Sequence, residues 1–261
     1  MPAPYRAVLF DFDGTLADTA PDLGNALNRM LAARSRPPLP LETLRPLSSE
    51  GARGMLKIGF NKHPGDADYD TLRNEYLDIY EAHMLCDTRL FDGIDQVLDT
   101  LAARAIPWGI VTNKLERFAL PLISQMGLTA RAGCVIGGDT TARAKPAPDP
   151  LLEGARRIRA TPAQCLHVGD DLRDVQAAHA AGMEPVVARY GYPGNEEPPE
   201  QWGAAIHIQH PPRSLEISLE RATSCDNQSV TQNTGAPWVR RGSRSMAVHV
   251  KVQSPCKSAG K

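Results

Sequence analysis

The sequence predicts an α/β protein built on a doubly wound parallel sheet, with a helical insertion near its start and an unstructured end. Three observations carry that expectation. Short, wholly apolar runs alternate with amphipathic helical patterns along most of the chain. The runs lack the in–out alternation of a sheet with one wet face, as strands buried on both sides should. Residues 18–90 interrupt the alternation with helical patterns alone.

Residues 6–10 (RAVLF) stop abruptly at acidic residues and read as the first buried strand. Runs at 107–112, 134–137, 165–168 and 185–188 repeat the pattern. Between them, Ile94, Val97, Leu98 and Leu101 share one face of a helix over 94–104. A second helix is expected within 115–126, interrupted or restarted at Pro121, because proline lacks the N–H and clashes with the preceding turn. A third starts near Pro150, where proline suits the first turn. The fourth covers 172–182 and ends on Gly182 as its cap.

Within 18–90, helical patterns fall near 21–33, 50–60 and 69–83, with no convincing buried strand. The prolines of PPLPLETLRPLSS mark a connection inside this module. An insertion after the first strand sits over the carboxyl ends of the sheet, where open α/β sheets bind ligands, and is placed to act as a lid. The expected division is therefore 1–17 with 91–219 as the α/β core, 18–90 as the helical module and 220–261 as a tail.

Composition narrows the function. The 261 residues are 42% hydrophobic but only 5% aromatic, so Ala, Leu, Val and Ile must fill the core. The net charge of −1 hides a split. Up to Leu219 there are 22 basic and 28 acidic residues; from Glu220 there are 7 and 2. That tail is rich in Ser, Thr, Asn, Gln and Gly without apolar periodicity, and is expected to be disordered. Arg240, Arg241 and Arg244 are too few for a nucleic-acid footprint. The balance of charge argues against nucleic acid or a membrane surface as partner. No apolar run approaches the roughly 18 residues of a membrane span. The first residues, MPAPYRAVLFDFDGT, lack a secretory layout, since acids follow a five-residue apolar run. Cys86, Cys134, Cys165, Cys225 and Cys256 show no CxxC spacing, so a disulfide framework or zinc site is not expected and a cytoplasmic setting is.

Four polar clusters fall beside the expected strand ends: DFDGT with Asp11 and Asp13, then Thr112–Asn113, then Lys145 in AKPAPDP, then GDDLRD with Asp170, Asp171 and Asp174. Carboxylates brought that close repel one another unless a cation intervenes, and hard oxygen ligands select Mg²⁺. An acidic cluster with one lysine and a divalent ion suits a phosphoryl group. Asp11 is placed to attack phosphorus and form an aspartyl-phosphate, and Asp13 to protonate the leaving oxygen and then activate water. Gly14 allows a tight turn, and Thr15 supports it. Thr112 and Asn113 would donate to phosphoryl oxygens, while Lys145 balances charge. Asp170 is the expected further metal ligand. Asp171 and Asp174 either reach the metal through water or orient Lys145 and its loop. Taken singly, DxDGT is a turn and GDDLRD a capped helix start; their joint order is specific.

DFDGTLADT, VTNK, AKPAPDP and GDDLRD, in that order, resemble the four motifs of the haloacid dehalogenase superfamily. The helical module resembles the cap between its first and second motifs, and an acidic residue at position 13 marks the phosphatase and phosphomutase branches. SEGARGMLKIGF, RLFDG, WGIVTNK, GDDLRDVQAA and ARYGY resemble bacterial phosphoglycolate phosphatases, and more closely a branch that includes N-acetylmuramic acid 6-phosphate phosphatases. The match covers about residues 5–215, with WGAAIHIQHP similar to the usual last strand. The resemblance implies a Rossmann-like core and Mg²⁺-dependent hydrolysis of a small phosphate ester, a sugar phosphomutase being the alternative of another class. It implies Asp11 as nucleophile, Asp13 as acid/base, and Mg²⁺ held by Asp11, the Asp13 backbone carbonyl and Asp170. Thr112, Asn113 and Lys145 would bind the phosphoryl group, in a monomer or homodimer with no nucleic-acid or membrane partner.

Substrate choice falls to the helical module. Ser49 is expected to cap a helix whose free amides, with Arg53, hold a second anionic or polar group; the alternative is a solvated Arg53. Lys114 is either a substrate-side contact or surface charge.

Overall fold

The computed structural model describes residues 5–192, 194 and 197–211. The tail expected over 220–261 lies outside the described residues. Strand β1 (Ala7–Phe10) leads through a turn into the two-residue strand β2 (Ala17–Asp18). Helices α1 (Ala20–Ala32), α2 (Leu41–Leu44), α3 (Ala52–Phe60) and α4 (Tyr69–His83) follow, and strand β3 (Arg89–Leu90) closes this stretch. Then come α5 (Ile94–Ala103), β4 (Trp108–Val111), α6 (Glu116–Gln125), β5 (Val135–Ile136) and α7 (Asp149–Arg157). The described chain ends with β6 (Cys165–Gly169), α8 (Leu172–Ala181), β7 (Glu184–Ala188) and β8 (Ile206–Ile208).

Six parallel strands form one sheet in the order β5-β4-β1-β6-β7-β8. The central strand β1 is buried throughout, because helices cover both faces. Its period-2 alternation divides the core. Val8 and Phe10 join Leu98 of α5 and Leu122 of α6, whereas Ala7 and Leu9 join Leu151 of α7 and Ala178 of α8. Strand order reverses around β1, so its carboxyl end and those of β4 and β6 frame a crevice.

The helices between β2 and β3 share an apolar face. Leu23, Leu27, Met30 and Leu31 of α1 pack with Met55 and Leu56 of α3 and with Tyr76, Leu77 and Tyr80 of α4. Full burial of each such Leu or Met stabilises by about 1.5–3 kcal/mol. Tyr76 also donates its hydroxyl to the Leu23 carbonyl at 3.0 Å.

Two expectations change. The proline-rich stretch is not a bare connection: it holds α2 and a 3₁₀ turn, Arg45–Glu50, because Pro46 is tolerated at a first turn and Leu44 finds a buried place. As expected, residues 18–90 hold no buried strand: the two-residue β2 and β3 only pair at the ends of the stretch, antiparallel, with Ala17 opposite Leu90 and Asp18 opposite Arg89. Helix α6 runs unbroken through Pro121. The carbonyl that proline leaves unpaired belongs to exposed Arg117, and buried Phe118, Ala119, Leu122 and Ile123 hold the helix together.

Asp22, 1% exposed, ties the two ends of the helical stretch. Its carboxylate accepts from the Asp87 N–H at 2.9 Å, the Thr88 N–H at 2.9 Å and the Thr88 hydroxyl at 2.8 Å. Asp22→Ala strands these donors and is expected to destabilise the protein by about 2–4 kcal/mol. A melting temperature lower by roughly 5–15 °C in thermal unfolding would show it; an unchanged value would mean the tie is dispensable.

Candidate active site

Asp11 directly follows β1, and its N–H donates to the Val168 carbonyl of β6 at 2.8 Å, which extends the sheet ladder into the site. The turn after it is built around Gly14 at φ +80, and a Cβ there would lie 2.1 Å from an Asp170 oxygen. Glycine is therefore needed twice, for the left-handed backbone and for the carboxylate pressed against it. Thr15 donates to Asp170 Oδ1 at 2.8 Å, and the Tyr192 N–H donates to Oδ2 at 2.7 Å. Gly191 lets residues 190–192 lie on that turn: a Cβ there would sit 2.3 Å from the Gly14 carbonyl oxygen.

Lys145 is 5% exposed. Its ammonium lies 2.6 Å from Asp174 Oδ1, 2.8 Å from the Val111 carbonyl and 3.0 Å from Asp11 Oδ1. Asn113 clamps the lysine's backbone, accepting from its N–H at 3.0 Å and donating to its carbonyl at 2.9 Å. The Asn113 amide thus commits its oxygen and one N–H to the Lys145 loop, and its second N–H stays available beside the cavity. Thr112 fits the expectation better. It lines the cavity, and its oxygen accepts from the Lys114 N–H at 3.2 Å, leaving its hydrogen free to donate.

The acids of GDDLRD divide by burial. Asp171 caps α8, accepting from the Arg173 N–H at 2.9 Å and pairing with the Arg173 guanidinium at 2.7 Å. Asp174 completes the capping box and receives Lys145 on one side and His167 Nε2, at 3.1 Å, on the other. Asp174 thus orients Lys145, and Asp171 is a cap.

Lys114 is not surface charge. Its side chain is 7% exposed, it donates to Asp13 Oδ1 at 2.9 Å, and it lies over the Tyr80 ring, 4.8 Å from the centroid. Thr19 donates to the same Asp13 oxygen at 2.6 Å. The Asp13 carboxylate is therefore held by Lys114 and Thr19 rather than by Lys145. Carboxylate oxygens of Asp11, Asp170 and Asp174 lie within 4.8 Å of one another, all buried. Asp170 and Asp174 are each held by two or more donors. Among the described residues, Asp11 has only the Lys145 ammonium beside it, and its Oδ1 receives no aligned hydrogen bond.

The charges follow from this crowding. Burial pushes Asp11 up to about 7, although Lys145 pulls the other way. Burial, then the charges of Asp11 and Asp174, raise Asp170 well above the usual carboxylate range. Burial works against Asp174 too, but Lys145 and His167 overcome it and hold that carboxyl below its ordinary value. Three acids against one lysine leave an excess of negative charge, and an orphaned buried oxygen points into it. Those residues fit a hard divalent cation.

A cavity of about 330 Å³ opens beside this cluster, lined by the strand-end residues and by Ser48, Ser49, Arg53 and the inner face of α4. Ser49 is not a helix cap. It lies in the 3₁₀ turn and donates to the Tyr192 carbonyl at 2.9 Å, while Gly51 takes the cap position of α3 without a side-chain bond. Arg53 lines the cavity, is 58% exposed and pairs with Glu50 at 3.4 Å. Sequence reasoning gave no role to Arg173 and Tyr192, although they lie in GDDLRD and ARYGY, nor to Tyr80, which lies in no motif.

Comparison with known proteins agrees with this geometry. The family model for haloacid dehalogenase-like hydrolases matches residues 8–188. A phosphoglycolate phosphatase of Xanthomonas campestris is 44% identical over 211 residues, 81% of this chain and 95% of that protein. An N-acetylmuramic acid 6-phosphate phosphatase of Pseudomonas aeruginosa is 38% identical over 221 residues, 85% of this chain and 97% of that protein. A crystal structure from Haemophilus somnus, described as a predicted phosphoglycolate phosphatase, shares the fold with a TM-score of 0.72 at 24% identity, covering 82% of this chain and 98% of that one. The aspartates, the buried lysine and the parallel sheet that assembles them are those of a haloacid dehalogenase-like hydrolase, and the chain belongs to that family.

Proposed function

We propose that the protein is a Mg²⁺-dependent phosphomonoester hydrolase of the phosphoglycolate phosphatase type, working through an aspartyl-phosphate. The observation that supports this most is Asp11 itself. Of the three clustered acids it alone is left without structural hydrogen bonds, so it is free to react. An Asp11 oxygen attacks phosphorus while the ester P–O bond breaks, and Asp13 delivers its proton to the leaving oxygen. Asp13, then a carboxylate, takes a proton from water as that water attacks the phosphoryl group. The Asp11–phosphorus bond breaks and inorganic phosphate leaves. Lys114 and Thr19 hold the Asp13 carboxylate in place between the two steps.

Lys145 balances the charge of Asp11 and of the incoming phosphoryl oxygens, with Thr112 as a donor beside it. Asp11, Asp170 and the Asp13 carbonyl would hold Mg²⁺, which supplies charge stabilisation to the transferring phosphoryl group. The helices between β2 and β3 serve as a cap that completes the substrate cavity. The cavity volume favours a second reading, an N-acetylmuramic acid 6-phosphate phosphatase, because such an ester fills more of it than phosphoglycolate does.

Asp11→Asn is expected to abolish phosphate release from p-nitrophenyl phosphate in Mg²⁺ while the far-ultraviolet circular dichroism stays native; turnover by this variant would refute the assigned nucleophile. Metal binding also leaves a pH signature. Asp11 and Asp170 carry raised values in the folded state, so the folded, metal-free protein binds more protons than the unfolded chain between about pH 4 and 7. Their contribution to stability therefore falls as pH rises through that window. Asp174 has the opposite sign, contributing above its unfolded value and losing that contribution in acid. Mg²⁺ competes with the protons on Asp11 and Asp170, so its stabilisation is expected to be larger at pH 8 than at pH 5.5. A hundredfold excess over Kd adds about 2.7 kcal/mol, roughly 5–10 °C for a domain of this size. Thermal melts with Mg²⁺ and with chelator check this; equal shifts at both pH values would contradict it.

A further inference from the structure

The cavity holds one cation with nothing to do. Its basic residues are Arg53, Arg73, Lys114, Lys145 and Arg173. Four of them are engaged: Arg53 with Glu50, Lys114 with Asp13, Lys145 with Asp11 and Asp174, and Arg173 with Asp171. Among the described residues Arg73, half-buried on α4, has no ion pair or hydrogen bond. A second polar group lies on the same helix. The Tyr80 hydroxyl is buried at the cavity wall and makes no aligned hydrogen bond, with the Lys114 ammonium beside its ring. A buried hydroxyl gains from an aligned partner, and a polar group of a ligand in the cavity can supply one.

The two residues are seven apart, hence on one helix face and separated by about 10 Å along the axis. Tyr80 marks the catalytic end, because Lys114 bridges its ring to Asp13. Arg73 marks the far end, with Tyr69, Tyr76 and Leu77 completing the wall. A flat, largely aromatic wall with a hydroxyl near the phosphate and a guanidinium two turns away matches a particular shape of ester. Such an ester would carry its phosphate and a carboxylate on separate arms of a ring.

We infer that Arg73 and Tyr80 make the enzyme selective for a phosphorylated sugar acid, Arg73 pairing with the carboxylate and Tyr80 with a polar substituent of the ring. This rests on the phosphatase reading above and decides between its two substrates. 2-Phosphoglycolate sets its carboxylate one carbon from the ester oxygen, so its two anionic groups do not span the roughly 10 Å between residues 73 and 80 on the helix. N-acetylmuramic acid 6-phosphate carries its carboxylate on the lactyl ether at C3, a separate arm from the phosphorylated C6 and many more bonds from the ester oxygen than in phosphoglycolate, and a planar guanidinium suits it.

The test is kcat/KM for N-acetylmuramic acid 6-phosphate, N-acetylglucosamine 6-phosphate (the same ring without the acid), 2-phosphoglycolate and p-nitrophenyl phosphate, with Mg²⁺. The parent enzyme is expected to prefer the sugar acid over its acid-free counterpart, and over phosphoglycolate, by about 100-fold. Arg73→Gln should reduce the acid-to-acid-free ratio by about 10- to 100-fold, chiefly through KM. Tyr80→Phe keeps the ring under Lys114 and should change the melting temperature little, yet raise KM for both sugar esters relative to the aryl phosphate. A parent ratio near one, a preference for phosphoglycolate, or parallel losses on all four substrates in Arg73→Gln would overturn the inference while leaving the hydrolase reading intact. Failure of the parent enzyme to hydrolyse even p-nitrophenyl phosphate would overturn both.

Discussion

Like charges crowded at the ends of parallel strands organise this molecule. Asp11, Asp170 and Asp174 are brought within 4.8 Å of one another by the sheet and the helix after it, in a place where burial makes their repulsion severe. One ammonium stands among them. Lys145 can do so only because its backbone is clamped by Asn113 and its side chain is directed by Asp174 and the Val111 carbonyl. The remaining negative charge suits the site to a divalent cation, which would in turn let it accept an anionic ester that the acids alone would repel. Two of the acids are held by hydrogen bonds and one is not, so the same crowding that is unfavourable for folding leaves a reactive oxygen in place.

The positioning groups come from distant parts of the chain. Asp170 receives Thr15 from the first turn and the Tyr192 N–H from the loop after β7. The close approach at Gly14 and Gly191 makes that three-way contact possible. Tyr192 also bonds to Asp18, whose carboxylate pairs with Arg45 at 2.8 Å, while Arg173 donates to the Ser49 carbonyl at 2.7 Å. The wall formed by the α-helical stretch is thereby registered against the strand ends from which the reacting groups project. Its own ends are joined by the β2·β3 pair and by Asp22, so a stretch with no large sheet of its own is held at a fixed angle to the core.

Much of this was legible in the residues. Apolar runs bounded by acids located all five strands read from the pattern, and Gly182 does cap α8 in a left-handed conformation. The misreadings have physical causes. Pro121 breaks an isolated helix but not one pinned by four buried side chains. Ser49 looked like a cap because local pattern ignores a carbonyl 143 residues later that competes for its hydroxyl. Lys114 was ambiguous because a lysine's burial depends on which acid and ring surround it, here Asp13 and Tyr80 from different elements.

The sequence by itself determined the family chemistry and the sheet, because strand patterning and residue type are local properties and the four motifs each lie within a few residues. What only the tertiary structure decided is the division of labour inside the motifs. It made Asp174 and Asn113 supports for Lys145, made Asp171 a cap and turned Asp13 toward Lys114. Except for the local Asp171 cap, hydrogen bonds and charge pairs between residues 29 to 101 positions apart assign those roles, and no spacing in the chain encodes their geometry.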